Sequence, residues 1–172
     1  PVLSRGNDNC HQLLIYATDI TNSALRIAKK NAKKHGAPIN FLRGNLLKPV
    51  FNNLTIQQFN NSTLLITANL PYLTAEQFAN EPSIQREPKN ALVADNHGLE
   101  LYEKLLKQIK SLISDIQYLN ITIFLEIDPS QSEKISKLIT SILPNAKFEI
   151  KTDLAGRDRL VVIKLTQDSI NS

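Results

Sequence analysis

The feature that most constrains this chain is an alternation of short apolar runs with longer segments of helical period. "LLIYAT" (residues 13–18), residues 39–42, "TLLITA" (63–68) and "ITIFLEI" (121–127) are short, apolar and rich in β-branched residues, as strands buried in a sheet are. Between them, residues 21–35, 99–114 and 130–143 carry apolar positions at helical spacing, with Ile135, Leu138, Ile139, Ile142 and Leu143 on one face of the last. Thr21-Asn22-Ser23 supplies N-capping side chains, and Gly36 with Pro38 supplies the stop. Strands alternating with helices predict an α/β domain with a mainly parallel sheet. Residues 147–152 and 159–165 have no helix between them, so the last pair of strands is expected to be antiparallel. A short helix is expected over residues 74–80. Residues 44–50, the polar stretch 52–62 and the stretch "NEPSIQREPKNALVADNHG" read as connections, the last long enough to suggest a function. No repeat or linker composition breaks the 172 residues, which are read as a single domain.

Composition narrows the function classes. No apolar run approaches the roughly 18 residues of a membrane helix, and no signal-peptide layout opens the chain, so neither a membrane protein nor a secreted one is expected. Cys10 is the only cysteine, which excludes an internal disulfide and fits a cytoplasmic protein. His11, His35 and His97 do not fall at ligand spacing with Cys10 or carboxylates, so no metal is expected. The net charge of +4 permits an anionic partner without requiring one. Lys29, Lys30, Lys33 and Lys34 form the densest basic cluster, read as a solvated face of the first helix.

In α/β sheets ligands gather at the carboxyl ends of strands. Asp19 follows the first strand, where a carboxylate can accept from a ribose diol or simply cap the next helix. Asn69-Leu70-Pro71-Tyr72 follows the third. The Asn69 side-chain oxygen and the Leu70 carbonyl are two neighbouring acceptors suited to an incoming –NH2 group, and Pro71 has no N–H to compete. Tyr72 can cover the flat face of an amide or a base. Such a nitrogen is a poor nucleophile because its lone pair is conjugated. Holding both hydrogens as it pyramidalises favours attack on a methyl donor. An ordinary strand ending in a proline turn is the plain alternative. Glu126, at the end of its own strand, is either within reach of such a site or structural.

Six segments, "YATDITNSALRIAKKNAKKHG", "GNLLKP", "NLPYLT", "EPKNALVADNHGLELYEKLL", "LEIDPSQ" and "DLAGRDRLVVIKL", occur in that order. Their order and spacing resemble the HemK-type N5-glutamine methyltransferases of class-1 peptide chain release factors, over residues 13–165. The resemblance implies a class I S-adenosylmethionine-dependent methyltransferase, with a Rossmann-like sheet and an antiparallel final strand. It implies methyl transfer to the Gln side-chain amide of the release factor's Gly-Gly-Gln motif. Asp19, with Ile20 beside it, would hold the cofactor ribose, and Asn45 with Leu46 would lie near the adenine. Asn69, Leu70, Pro71 and Tyr72 would hold the substrate amide, Asn69 also lying beside the cofactor, and Glu87 would form part of the substrate wall. The partner implied is the release factor, with no nucleic acid required. The tetrapeptide alone is shared with enzymes that methylate adenine N6 or cytosine N4 in nucleic acids, which is the competing class.

The chain departs from the family pattern at several positions. Asn45 stands where an Asp is usual, Leu70 where Pro is favoured, and Ala94-Asp95 where Gly-Gly is frequent. The glycine-rich cofactor loop Asp-x-Gly-x-Gly-x-Gly does not occur in the 172 residues. The resemblance therefore reads the chain as a C-terminal portion of the catalytic domain, incomplete at its N-terminus and inactive alone. It also implies open strand edges where a central strand is missing.

Overall fold

The computed structural model describes residues 13–59, 62–116 and 119–166; the expected opening loop over residues 1–9, Cys10 and His11 lie outside them. The chain forms two compact units, Pro1–Asn53 and Leu54–Ser172.

In the first unit β1 (Ile15–Asp19) leads through α1 (Asn22–Lys34) to β2 (Ile39–Arg43), followed by α2 (Lys48–Asn53). β1 and β2 pair in parallel, with Ile15 opposite Ile39 and Asp19 opposite Arg43. The ends of α1 follow the capping signals. The Thr21 side chain accepts from Ala24 N–H, and Gly36 (φ +63°) turns the chain so that Ala37 N–H reaches Ala32 C=O at 2.9 Å. His35 is the capping residue at the helix C-terminus, where its N–H donates to Asn31 C=O. Leu25 and Val50 are the fully buried apolar side chains described here. β1 itself is only half-buried, not the buried strand its composition predicts. The expected loop after β2 also turns helical: Pro49 sits in the first turn of α2, where its missing N–H costs nothing, and Val50 supplies a buried anchor.

The second unit holds α3 (Ile56–Phe59), β3 (Ser62–Ala68), α4 (Ala75–Asn80), a 3-10 turn (Pro82–Ile84), α5 (Lys89–Leu92), α6 (Asp95–Gly98) and α7 (Glu100–Asp115). β4 (Leu119–Glu126), a second 3-10 turn (Pro129–Gln131), α8 (Ser132–Ile142), β5 (Lys147–Thr152) and β6 (Asp158–Leu165) complete it. The sheet order is β3-β4-β6-β5, with β3 parallel to β4 and β6 antiparallel to both its neighbours. The final hairpin is thus antiparallel as expected. Because β6 inserts between β4 and β5, the described pairings divide evenly between parallel and antiparallel, rather than being mainly parallel.

The core of this unit lies between the sheet and the paired helices α7 and α8. Ile123 faces Ile163 and Leu125 faces Val161 across the β4–β6 ladder, and all four are fully buried. Leu105, Leu106 and Ile109 of α7 and Ile135 and Ile139 of α8 are equally sealed from solvent. β3 is different. Ile66 is buried, but Leu65 is 63% exposed, because β3 borders its sheet and alternate residues face outward. Among the described residues β1, β2, β3 and β5 each pair with one strand only, so each carries an open edge.

Residues 81–98, read as an irregular connection, are a chain of short turns started by Pro82 and Pro88. The polar stretch 52–62 likewise contains α3, anchored by the buried Phe59. Among the described residues no helix is long and apolar enough to cross a membrane.

Candidate functional site

The candidate residues fall into two groups, one on each unit. In the second unit the ladder of β3 ends at Ala68, opposite Leu125. Asn69 is exposed, and its side chain makes no hydrogen bond among the described residues. Leu70, Pro71 and Tyr72 are half-buried, and the Leu70 carbonyl is likewise unpaired among the described residues. The tetrapeptide is therefore an open pair of acceptors on a held backbone. Its hold begins at Leu73, whose N–H donates to Leu92 C=O at 2.9 Å and whose carbonyl accepts from Ala94 N–H at 3.0 Å. Thr74 then starts α4 with a reciprocal capping box to Gln77.

A second hold comes from far along the chain. The Gln131 side chain is 3% exposed. Its Nε2 donates to Tyr72 C=O and to His97 C=O, each at 3.2 Å, while its Oε1 accepts from Asp128 N–H at 3.1 Å. Both ends of this buried amide are used, as burial of a polar group demands. Asn96, His97 and Gly98 all have positive φ (52°, 55° and 77°), so α6 is a left-handed turn. A Cβ on Gly98 would stand 1.9 Å from the Tyr72 carbonyl oxygen, so only glycine permits this approach.

Burial raises the pKa of the Tyr72 phenol above its ordinary value, and the negative charge of Glu126 raises it further. Arg159 opposes the shift, and Asp128 and Glu87 add to it. The phenol is therefore a neutral O–H at physiological pH. Glu87 is exposed in its loop and acts on Tyr72 through its charge. Glu126 acts in the same way, while its backbone carbonyl accepts from the fully buried Tyr102 hydroxyl at 2.5 Å. Gln131 and Tyr102 were not among the expected site residues. Gln131 had a legible signal, since "DPSQ" has the Asp-x-x-Gln form of a capping box.

In the first unit Asp19, Ile20, Asn45 and Leu46 come together at the carboxyl ends of two neighbouring parallel strands. Gly44 N–H donates to Asp19 C=O at 3.0 Å, and Arg43 Nε donates to Ile20 C=O at 3.2 Å. Leu46 is left-handed (φ +53°), which leaves Asn45 exposed at the tip of the turn. Asp19 Oδ1 accepts from Thr21 N–H at 2.6 Å and Thr21 Oγ1 at 2.7 Å, so the capping reading of this residue is realised. Oδ2 has no partner among the described residues. A half-buried carboxylate with one oxygen uncommitted, at the end of a strand, fits a ribose hydroxyl.

No family model matches the chain. It is similar to the release factor glutamine methyltransferase of Staphylococcus aureus, with 32% identity over 154 residues, covering 88% of this chain and 52% of that protein. The chain thus spans about half the length of the curated relatives it matches. Among solved structures, the human METTL16 catalytic domain in complex with a MAT2A 3'UTR hairpin superimposes with a TM-score of 0.60 at 14% identity, over 90% of this chain and 55% of that one. The N-terminal domain of human METTL16 in complex with SAH gives 0.53 at 13% identity, over 92% of this chain and 54% of that one. At such identities the likeness establishes fold alone. The chain therefore carries a class I methyltransferase fold, and its sequence is similar to release factor glutamine methyltransferases over about half of their length.

Proposed function

We propose that this chain supplies the substrate-amide residues and part of the cofactor cradle of a methyltransferase acting on the Gln side chain of the Gly-Gly-Gln motif in a class-1 release factor. The observation that carries this reading is the pair of open acceptors, the Asn69 amide and the Leu70 carbonyl, on a tetrapeptide held from behind by Gln131. S-adenosylmethionine, when bound, supplies an electrophilic methyl group on a sulfonium. Asp19 Oδ2 holds a ribose hydroxyl, with Ile20 alongside, and Asn45, with Leu46 behind it, accepts from the adenine amino group. Asn69 Oδ1 and the Leu70 carbonyl each take one hydrogen of the substrate –NH2. That grip would favour the pyramidal nitrogen over the planar one; its lone pair would take the methyl group from the sulfonium sulfur, which keeps the electrons of the broken S–C bond, while one of the two hydrogens passes to water as a proton. Pro71 keeps the backbone free of a competing donor. The Tyr72 ring lies along the amide plane and Glu87 forms part of the wall that admits the Gln. Positioning and electrostatics, rather than a strong base, supply the rate. The release factor relatives support a cytoplasmic place for the activity.

The test is mass spectrometry of the host's release factor. Its Gly-Gly-Gln peptide should carry one methyl group when the gene is intact and none when Asn69 is changed to Ala. Unaltered methylation in that strain rejects the assignment. Methyl label appearing on RNA or DNA amino groups instead would replace it with the nucleic-acid reading.

A further inference from the structure

The charge of this chain is not evenly spread. Over residues 13–53 Asp19 is the sole acidic residue, against seven lysines and arginines; residues 54–172 hold fourteen acids and twelve bases. The excess is concentrated on α1. Arg26, Lys29, Lys30 and Lys33 line a groove of about 510 Å³ between α1 and β2, together with Arg43 and Phe41, and no acidic residue lines it. All five cations are exposed.

A comparison within the chain separates this groove from an ordinary solvated face. The other long helices pair three of their five lysines with a glutamate one turn back: Lys104 with Glu100, Lys107 with Glu103 and Lys137 with Glu133. α1 has no acidic residue, and its lysines and arginine form no ion pair among the described residues. Crowding like charges at i, i+3, i+4 and i+7 is destabilising in isolation. An external anion relieves it.

We propose that this groove binds the phosphate backbone of a double-stranded nucleic acid without regard to sequence. Arg26, Lys29, Lys30 and Lys33 form a row about 10 Å long on one helix face, and Arg43 adds a fifth charge from the strand. A regular row of cations matches the dense, uniform charge of a duplex better than the scattered carboxylates of an acidic protein. Phe41 is the single ring in the groove, so successive unpaired bases find no run of stacking platforms.

The experiment is fluorescence anisotropy of a short labelled RNA duplex titrated with the full chain at several salt concentrations. Five phosphate contacts, one for each cation of the groove, predict a slope of about −4.5 in log affinity against log salt. Changing Arg26, Lys29, Lys30 and Lys33 together to Gln, a residue of similar helix propensity, should weaken binding about tenfold or more and flatten that slope. Changing Lys104, Lys107, Lys134 and Lys137 to Gln removes the same net charge and should leave affinity unchanged. Single Lys30→Gln should already lower the slope by about 0.9. Unchanged binding in the fourfold α1 variant, an equal loss in the control, or a salt-independent affinity would overturn the proposal. Tighter binding of polyglutamate than of duplex would overturn it in favour of an acidic protein partner.

Discussion

The side-chain amide of Gln131 donates to the backbone carbonyl of Tyr72, 59 residues earlier, at 3.2 Å. Through this one bond the turn that opens α8 sets the backbone of the candidate substrate tetrapeptide. The same nitrogen reaches His97 C=O, so three separated segments meet on a single buried side chain.

Replacing Gln131 by Leu keeps most of the volume but strands two carbonyls and the Asp128 N–H. Each unsatisfied buried group costs about 1–3 kcal/mol, so a loss of at least about 2 kcal/mol is expected. Urea unfolding of the two proteins side by side measures it. Equal midpoints would show that the amide is incidental.

Gly98 and Gly36 both have positive φ, 77° and 63°, but different surroundings. A Cβ at Gly36 meets nothing within 4 Å, whereas one at Gly98 meets the Tyr72 carbonyl. Gly36→Ala should cost about 1–2 kcal/mol, the left-handed penalty alone. Gly98→Ala should cost clearly more and shift the midpoint further in thermal melts. Matching losses would contradict the close approach.

Asn69→Ala should separate function from stability. The side chain is exposed and unpaired among the described residues, so unfolding free energy should stay within about 0.5 kcal/mol. Methyl transfer should fall about 10²–10³-fold, as removal of one positioned hydrogen-bonding group does. A variant that unfolds, or one that turns over normally, would count against the role given to Asn69.

Asp19→Asn tests the cofactor group. The amide oxygen can still accept from Thr21, so the turn into α1 should survive. Loss of the charge-assisted bond should weaken S-adenosylhomocysteine binding about tenfold, roughly 1.4 kcal/mol. Calorimetry on the protein isolated from its host reads this directly. Undiminished affinity would move the ribose elsewhere.

Tyr102 gives a pH prediction. Burial, aided by Tyr72, Glu126 and Asp128, raises its phenol well above the ordinary 10.0. The folded state therefore keeps a proton that the unfolded state releases. The stability this contributes is whole below about pH 10 and is lost as pH rises from there through the folded pKa. Tyr102→Phe should cost about 0.5–1.5 kcal/mol at neutral pH, for the lost bond to Glu126 C=O, and should decline less steeply in alkali. Parallel alkaline declines would exclude Tyr102 as the source.

Much of the fold was legible because its signals are local. The cap at Thr21, the turn at Gly36 and the isoleucine stripe of α8 each depend on residues within a turn or two. The open amide of Asn69 after β3 is of this kind, since a strand end and a proline are read from neighbours. What the sequence alone determined is therefore the strands, the three long helices with α4, the antiparallel final hairpin, and the position of Asp19 and Asn69 at strand ends. Only the tertiary structure decided how residues 81–98 coil into short turns, because their backbone is held by Leu73 and Gln131, which are distant in the chain. It also decided that β3 borders its sheet and leaves Leu65 exposed, since an apolar run does not say how many neighbours a strand will have. The necessity of Gly98 belongs there too: nothing local demands it, and the carbonyl of Tyr72 does.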